Sequence, residues 1–196
     1  MKELLLHNDW ILPAIGVLLL LTLGGLFVYR RRRAANPERR LRAAATDYLA
    51  GFIIPNGDDG EIHVEYALLT NRGIVIVDLK DVEGNVFGSN SMQDWTVISD
   101  KRRFTFSNPQ YALYDRLAAV KRIAADIPVT GYVAFSNRGH FNKGHPSNVI
   151  PLETLIDELQ QEMKSNGGDM LQAWLPQWDL LRETVVTARV DHLMKN

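Results

Sequence analysis

Residues Trp10 to Tyr29, WILPAIGVLLLLTLGGLFVY, carry no ionisable group before the terminal tyrosine. A helix of that length, at about 1.5 Å per residue, reaches roughly 30 Å, the hydrocarbon thickness of a bilayer. Trp10 and Tyr29 stand at its ends, where aromatic rings favour the lipid–water interface. Arg30, Arg31, Arg32 and Arg33 follow at once, whereas only Lys2 precedes the run. A cleaved signal peptide has the opposite charge order. The expectation is a single transmembrane helix over 10–29, with residues 1–9 outside and everything after the arginines at the cytoplasmic face. The lipid bilayer is then the first partner, and Arg30–Arg33 can also hold anionic headgroups.

Charge divides the rest. Residues 30–42 hold seven arginines against Glu38, net +6, while residues 43–196 hold 14 Lys/Arg against 20 Asp/Glu, net −6. An acidic domain lacks the concentrated positive surface that general nucleic-acid binding needs, so any such contact must be local and metal-assisted. The absence of cysteine excludes disulfides, thiolate zinc sites and a cysteine nucleophile.

After a basic linker at 30–37, Asn36-Pro37-Glu38 reads as a capped helix start, with the helix running to about Ala50. Strands are expected at Phe52–Ile54, Glu61–Leu69 and Gly73–Lys80, with further extended segments at 84–88 and 95–106. Asn108-Pro109 opens a helix to about Ala125 whose apolar stripe includes 113, 117 and 120. Val129–Phe135 is an apolar strand, 148–150 a short one, and Pro151–Met163 a helix. One or two helices follow the break at Gly167-Gly168. A domain at 38–158 with a helical extension at 159–196 follows from this order. The succession of helix, three strands, helix and strand predicts an α/β sandwich with helices on both faces of a mixed sheet.

If the hairpin turn is centred on Asn71-Arg72, paired residues have numbers that sum to 143. Glu65 then faces Asp78, and Lys80 shares their face. The opposite face carries Ile62, Val64, Tyr66 and Leu68 against Val75, Val77 and Leu79. Two facing carboxylates repel, and a hard divalent cation would neutralise them. With Lys80 acting on a metal-bound water, the chemistry indicated is metal-assisted phosphodiester hydrolysis. On spacing alone, a surface ion-pair cluster worth about 0–1 kcal/mol accounts for the pattern at least as well.

The stretches Ile62–Glu65 and Leu69–Lys80, together with Gly84, Phe87-Gly88, Trp95, Phe106–Pro109 and Val133–Ser136, resemble the NERD (nuclease-related) domain family. That family is similar to the PD-(D/E)xK nuclease superfamily. The resemblance implies a restriction-endonuclease-like three-layer sandwich with a central mixed sheet and an α-β-β-β-α-β core. It implies that Glu65, Asp78 and the Leu79 carbonyl hold magnesium or manganese, that Lys80 acts on the attacking water, and that nucleic acid is the substrate. Gln110 and Tyr114 match a Gln-x-x-x-Tyr spacing that helps to place substrate or metal, and Glu38 is the nearest match to a first-helix acid. The family more often has aspartate where Glu65 stands and glutamate where Asp78 stands. The rival expectation is a catalytically silent, membrane-tethered interaction module.

Some conspicuous residues carry weaker signals. His140 and His145 lie five apart in a polar loop, which is not a strong zinc spacing. Lys101-Arg102-Arg103 reads as a solvated turn, and Trp95, Trp174 and Trp178 read as packing residues.

Overall fold

The computed structural model describes residues 15–22, 24–25, 36–57, 60–100, 102–165 and 168–195. The chain forms two compact units, 1–40 and 41–196. In the first, residues 15–22 and 24–25 are helical and exposed, Leu20 at 71% and Leu21 at 67%. The rest of the expected span 10–29, and Arg30–Arg33, lie outside the described residues. Among the described residues no helix is long and apolar enough to cross a membrane.

Helix α1 (Pro37–Ala43) starts where Asn36 predicts, the Asn36 side chain accepting from the Arg39 N–H at 3.4 Å. It ends seven residues before the expected Ala50. The Thr46 N–H donates to the Leu69 carbonyl at 2.9 Å, and strand β1 (Asp47–Pro55) begins directly after it, three times as long as the Phe52–Ile54 segment implied. Pairing with a neighbouring strand overrides the helical propensity of the alanine-rich stretch.

Strands β1, β2 (Glu61–Thr70), β3 (Gly73–Lys80), β7 (Val129–Phe135) and β9 (Val149–Pro151) form one sheet in the order β1-β2-β3-β7-β9. The first three are antiparallel, and β3, β7 and β9 run parallel. The β2–β3 register follows the expected sum of 143, from Thr70↔Gly73 to Tyr66↔Val77. Gly73 takes φ +111°, and a Cβ there would lie 2.2 Å from the Pro128 carbonyl oxygen, so only glycine fits the turn.

The segment expected to extend over 95–106 is two strands, β5 (Asp94–Ile98) and β6 (Arg103–Ser107). With β4 (Gly84–Phe87) and the two-residue β8 (Gly139–His140) they build a second mixed sheet, ordered β6-β5-β4-β8. Ser99 accounts for the break, since its N–H and hydroxyl both donate to the Arg102 carbonyl and reverse the chain.

Helices cover both faces of the first sheet. On one side, Leu113 and Val120 of α2 (Pro109–Ile123) pack with Ile74, Ile76 and the second-sheet residues Trp95 and Val97. On the other, Leu155, Ile156 and Leu159 of α3 (Leu152–Lys164) pack with Leu41, Leu68 and Val77. Helix α4 (Gly168–Lys195) is no appendage: it lays Trp174, Trp178 and Leu181 into the first of these cores. The expected boundary at 158 falls inside α3.

The face assignment of β2 differs from expectation. Ala67 and Leu69 belong to the α2-side core, but Val64, expected on the opposite face, belongs there too, with Ile62 packed against it. Strand β1 does the same, Leu49 and Phe52 both facing that core. The β1–β2 ladder passes from Ala50↔Tyr66 to Phe52↔Val64, and between them Gly51 takes φ +59° opposite Glu65. One left-handed residue turns both strands over together. Strict alternation therefore fails at Glu65, where the candidate chemistry begins.

Candidate active site

The β2–β3 ladder stops at Tyr66↔Val77. One step further, the half-buried Glu65 supplies by its side chain what a continuing strand would supply by its backbone: Oε2 accepts the Leu79 N–H at 2.8 Å. Strand β3 is held on its other edge by β7, through Asp78↔Val133, Leu79↔Ala134 and Lys80↔Phe135. The Lys80 carbonyl accepts from the Ser136 N–H at 3.0 Å. The end of β3 that carries the chemistry is thus fixed between a side chain and a parallel strand.

Asp78 is 1% exposed. Its Oδ2 accepts from Arg116 Nη1 at 2.6 Å, and Arg116 Nε donates to the His63 carbonyl, also at 2.6 Å. Its Oδ1 is buried and has no hydrogen-bond partner among the described residues. Burial raises the Asp78 carboxyl above the ordinary aspartate range, against the opposing pull of Arg116, Lys80 and His63. Glu65 is also raised, chiefly by burial, with the Asp78 charge adding to it; the Leu79 N–H, Lys80 and Arg116 oppose. A surface ion-pair cluster is therefore ruled out. Asp78 is interior, and the cation closest to it comes from another element.

Glu65 meets Leu79 by a hydrogen bond and feels the charges of Asp78 and Lys80, but the expected facing pair of Glu65 and Asp78 is not part of the β2–β3 ladder. Gln110 and Tyr114 are not joined to them by hydrogen bonds. Gln110 is 2% exposed and its Nε2 donates to Asn90 Oδ1 (3.0 Å) and the Ser147 carbonyl (2.6 Å), tying the loops at 90 and 147 to the start of α2. The Tyr114 hydroxyl reaches Asn148 Oδ1 at 3.5 Å and is otherwise exposed. Glu38 lies in the first turn of α1, in the first compact unit, while the carboxylates belong to the second. His140 sits on β8, and His145 lies beside the Phe141 ring. Trp95 and Trp178 are fully buried, as expected of packing residues.

Arg116 is the participant that sequence reasoning missed. It lies three residues after Leu113 and four before Val120, on the border of the α2 stripe that faces the core. A lone arginine at that position is a readable signal, because a buried guanidinium demands an anionic partner.

The donors fit a hard divalent cation. An orphaned, buried carboxylate oxygen on Asp78 stands beside Glu65, and carboxylate oxygens are the ligands such ions take. Among the described residues no group of three or more His, Cys, Asp or Glu could hold a metal. The remaining ligands would be backbone carbonyl, water or substrate oxygen, which is how magnesium is usually bound. A separate polar cleft of about 720 Å³ opens at Asp81, directly after Lys80. Arg102 and Arg138 on its wall are offset by Asp81, Glu83 and Asp100, so it is no ready cradle for a polyanion.

A family model described as the nuclease-related domain, NERD, matches residues 30–136, more than half of the chain. The match includes β1 to β7 and all of Glu65, Asp78, Lys80 and Arg116, and ends before α3 and α4. No curated protein and no solved structure matches the chain.

Proposed function

We propose that this chain, which belongs to the nuclease-related domain family, is a membrane-anchored, metal-dependent nuclease that hydrolyses phosphodiester bonds of nucleic acid at the cytoplasmic face. The observation that carries the reading is the buried, unpartnered Oδ1 of Asp78 beside Glu65 and Lys80. A divalent cation, magnesium or manganese, would supply charge neutralisation for the scissile phosphate and a more acidic water. Glu65 and Asp78, with the Leu79 carbonyl, would hold it. Lys80 lies close enough to act electrostatically on both carboxylates, and in this reading its ammonium group orients the attacking water. The water oxygen forms the new bond to phosphorus, the bond to the leaving ribose oxygen breaks, and the water's proton ends on that oxygen. Gln110 is assigned to fixing the loops at the start of α2, and Tyr114, exposed, to substrate contact.

The anchor reading rests on the 10–29 run and the exposed apolar side chains at 15–21, with Arg30–Arg33 meeting anionic headgroups. The acidity of residues 43–196 favours a second reading, a silent tethered interaction module on the same fold. One experiment separates the two. The full chain in detergent is offered a panel of DNA and RNA with magnesium, manganese or chelator, beside a Lys80→Ala control. Metal-dependent cleavage lost in the control establishes the nuclease; no cleavage by the folded chain under any condition refutes it.

A further inference from the structure

Both carboxylates at the site have one oxygen already committed. Asp78 Oδ2 is held by Arg116 Nη1 at 2.6 Å, and Glu65 Oε2 by the Leu79 N–H at 2.8 Å. Arg116 is not free to leave, because its Nε is fastened to the His63 carbonyl at 2.6 Å and only a fifth of its side chain is exposed. The Asp78 side chain, 2% exposed, cannot rotate to present its second oxygen without breaking its charge-assisted bond to that guanidinium. What remains for a ligand is Asp78 Oδ1, buried and unpartnered among the described residues, together with Glu65 Oε1, the oxygen the Leu79 N–H does not hold.

We infer that Arg116 makes Asp78 a one-oxygen ligand, and so tunes the site toward a small, water-keeping divalent cation and against calcium. This inference rests on the metal site of the function proposed above and adds a specificity-determining role for a positioning residue on α2. Calcium takes six to eight oxygens in flexible geometry and readily uses both oxygens of a carboxylate. Magnesium demands near-octahedral geometry, keeps several waters, and is satisfied by one oxygen from each of one or two carboxylates. With one oxygen of Glu65 and one of Asp78 taken, the protein offers calcium too few donors. A simple cross-link between α2 and the sheet would account for the Arg116 bonds as well, but it would not couple them to the identity of the ion.

Calorimetry on the full chain in detergent, with manganese or calcium chloride as the only titrant, reads the ion preference without any turnover. The wild-type chain should bind manganese, and a tenfold excess of calcium should fail to displace it. Arg116→Met, which frees Oδ2, should narrow the manganese-over-calcium preference by about tenfold, the usual scale for loss of a group that orients a metal ligand. Arg116→Lys, which can still cap Oδ2, should recover much of it. An unchanged ratio in folded Arg116→Met overturns the inference. So does equal binding of the two ions by the wild-type chain, an arm that does not depend on any variant folding, and so does absence of binding by either ion. Nucleic-acid cleavage is scored separately. A chain that prefers manganese but cuts nothing refutes the nuclease and leaves this inference standing; a chain that cuts but keeps its ratio in Arg116→Met does the reverse.

Discussion

The two halves of the Arg116–Asp78 pair are unequally buried, and that predicts unequal costs of breaking it. Arg116→Met strands a carboxylate whose side chain is 2% exposed, whereas Asp78→Asn strands a guanidinium that is 20% exposed and keeps its bond to the His63 carbonyl. Removing one partner of a buried pair costs about 3–5 kcal/mol when the survivor stays charged and dry. Arg116→Met should therefore cost about 3 kcal/mol at pH 8. Asp78→Asn should stay within about 1 kcal/mol of wild type, because its survivor reaches water and a backbone acceptor. The larger cost has a defined pH dependence. Burial already raises the Asp78 carboxyl above its unfolded value, so the folded state binds the extra proton, and stability falls as pH rises through that window. Removing Arg116, which opposes the shift, raises the folded value further. The variant then goes on losing stability at pH values where wild type has levelled off. Below both folded values Asp78 is protonated in either protein, and the difference shrinks to the lost packing and hydrogen bonds, about 1 kcal/mol. Urea unfolding of wild type and both variants, in chelator, at a series of acidic pH values and at pH 8 measures all of this. A pH-independent cost for Arg116→Met, or an Asp78→Asn cost as large, would refute the reasoning.

Two further outcomes test the frame around the site. Gly73→Ala must hold φ near +111° with its Cβ 2.2 Å from the Pro128 carbonyl oxygen, and should lower stability by more than about 3 kcal/mol in urea titrations. A chain ending at Lys164 lacks Trp174, Trp178 and Leu181, each buried in the sheet's α2-side core. At about 1.5–3 kcal/mol per buried apolar side chain, it should show no cooperative thermal transition by circular dichroism.

The sequence was most informative where local rules act alone. The hairpin sum of 143 is fixed by a short turn that Gly73 enforces, so the Tyr66↔Val77 register and the approach of Glu65 to β3 follow directly. The capped starts of α1 and α2 are legible because Asn36 and Asn108 each act within three residues of themselves. The reversal at Gly51 was hidden, since a glycine in a strand does not announce a positive φ, and it moves Val64 to the face that alternation denied it. The early end of α1 was hidden because the carbonyl that captures Thr46 belongs to Leu69 on another strand. Arg116 stood in view on the helix stripe, but its partners lie 38 and 53 residues away, a distance that no periodicity encodes.

The indole N–H of Trp178 donates to Asp47 Oδ2 at 2.9 Å, across 131 residues of sequence. The last helix thus closes on the first strand. Loop closure over such a separation must precede the contacts that reward it, which makes this step slow. During synthesis, β1 emerges from the ribosome long before α4 does. The apolar ground that Trp174, Trp178 and Leu181 later cover stays open for the whole of that interval. At roughly 5–20 residues per second, the delay lasts on the order of ten seconds. A nascent chain of this kind is most exposed to misassembly just before α4 is released.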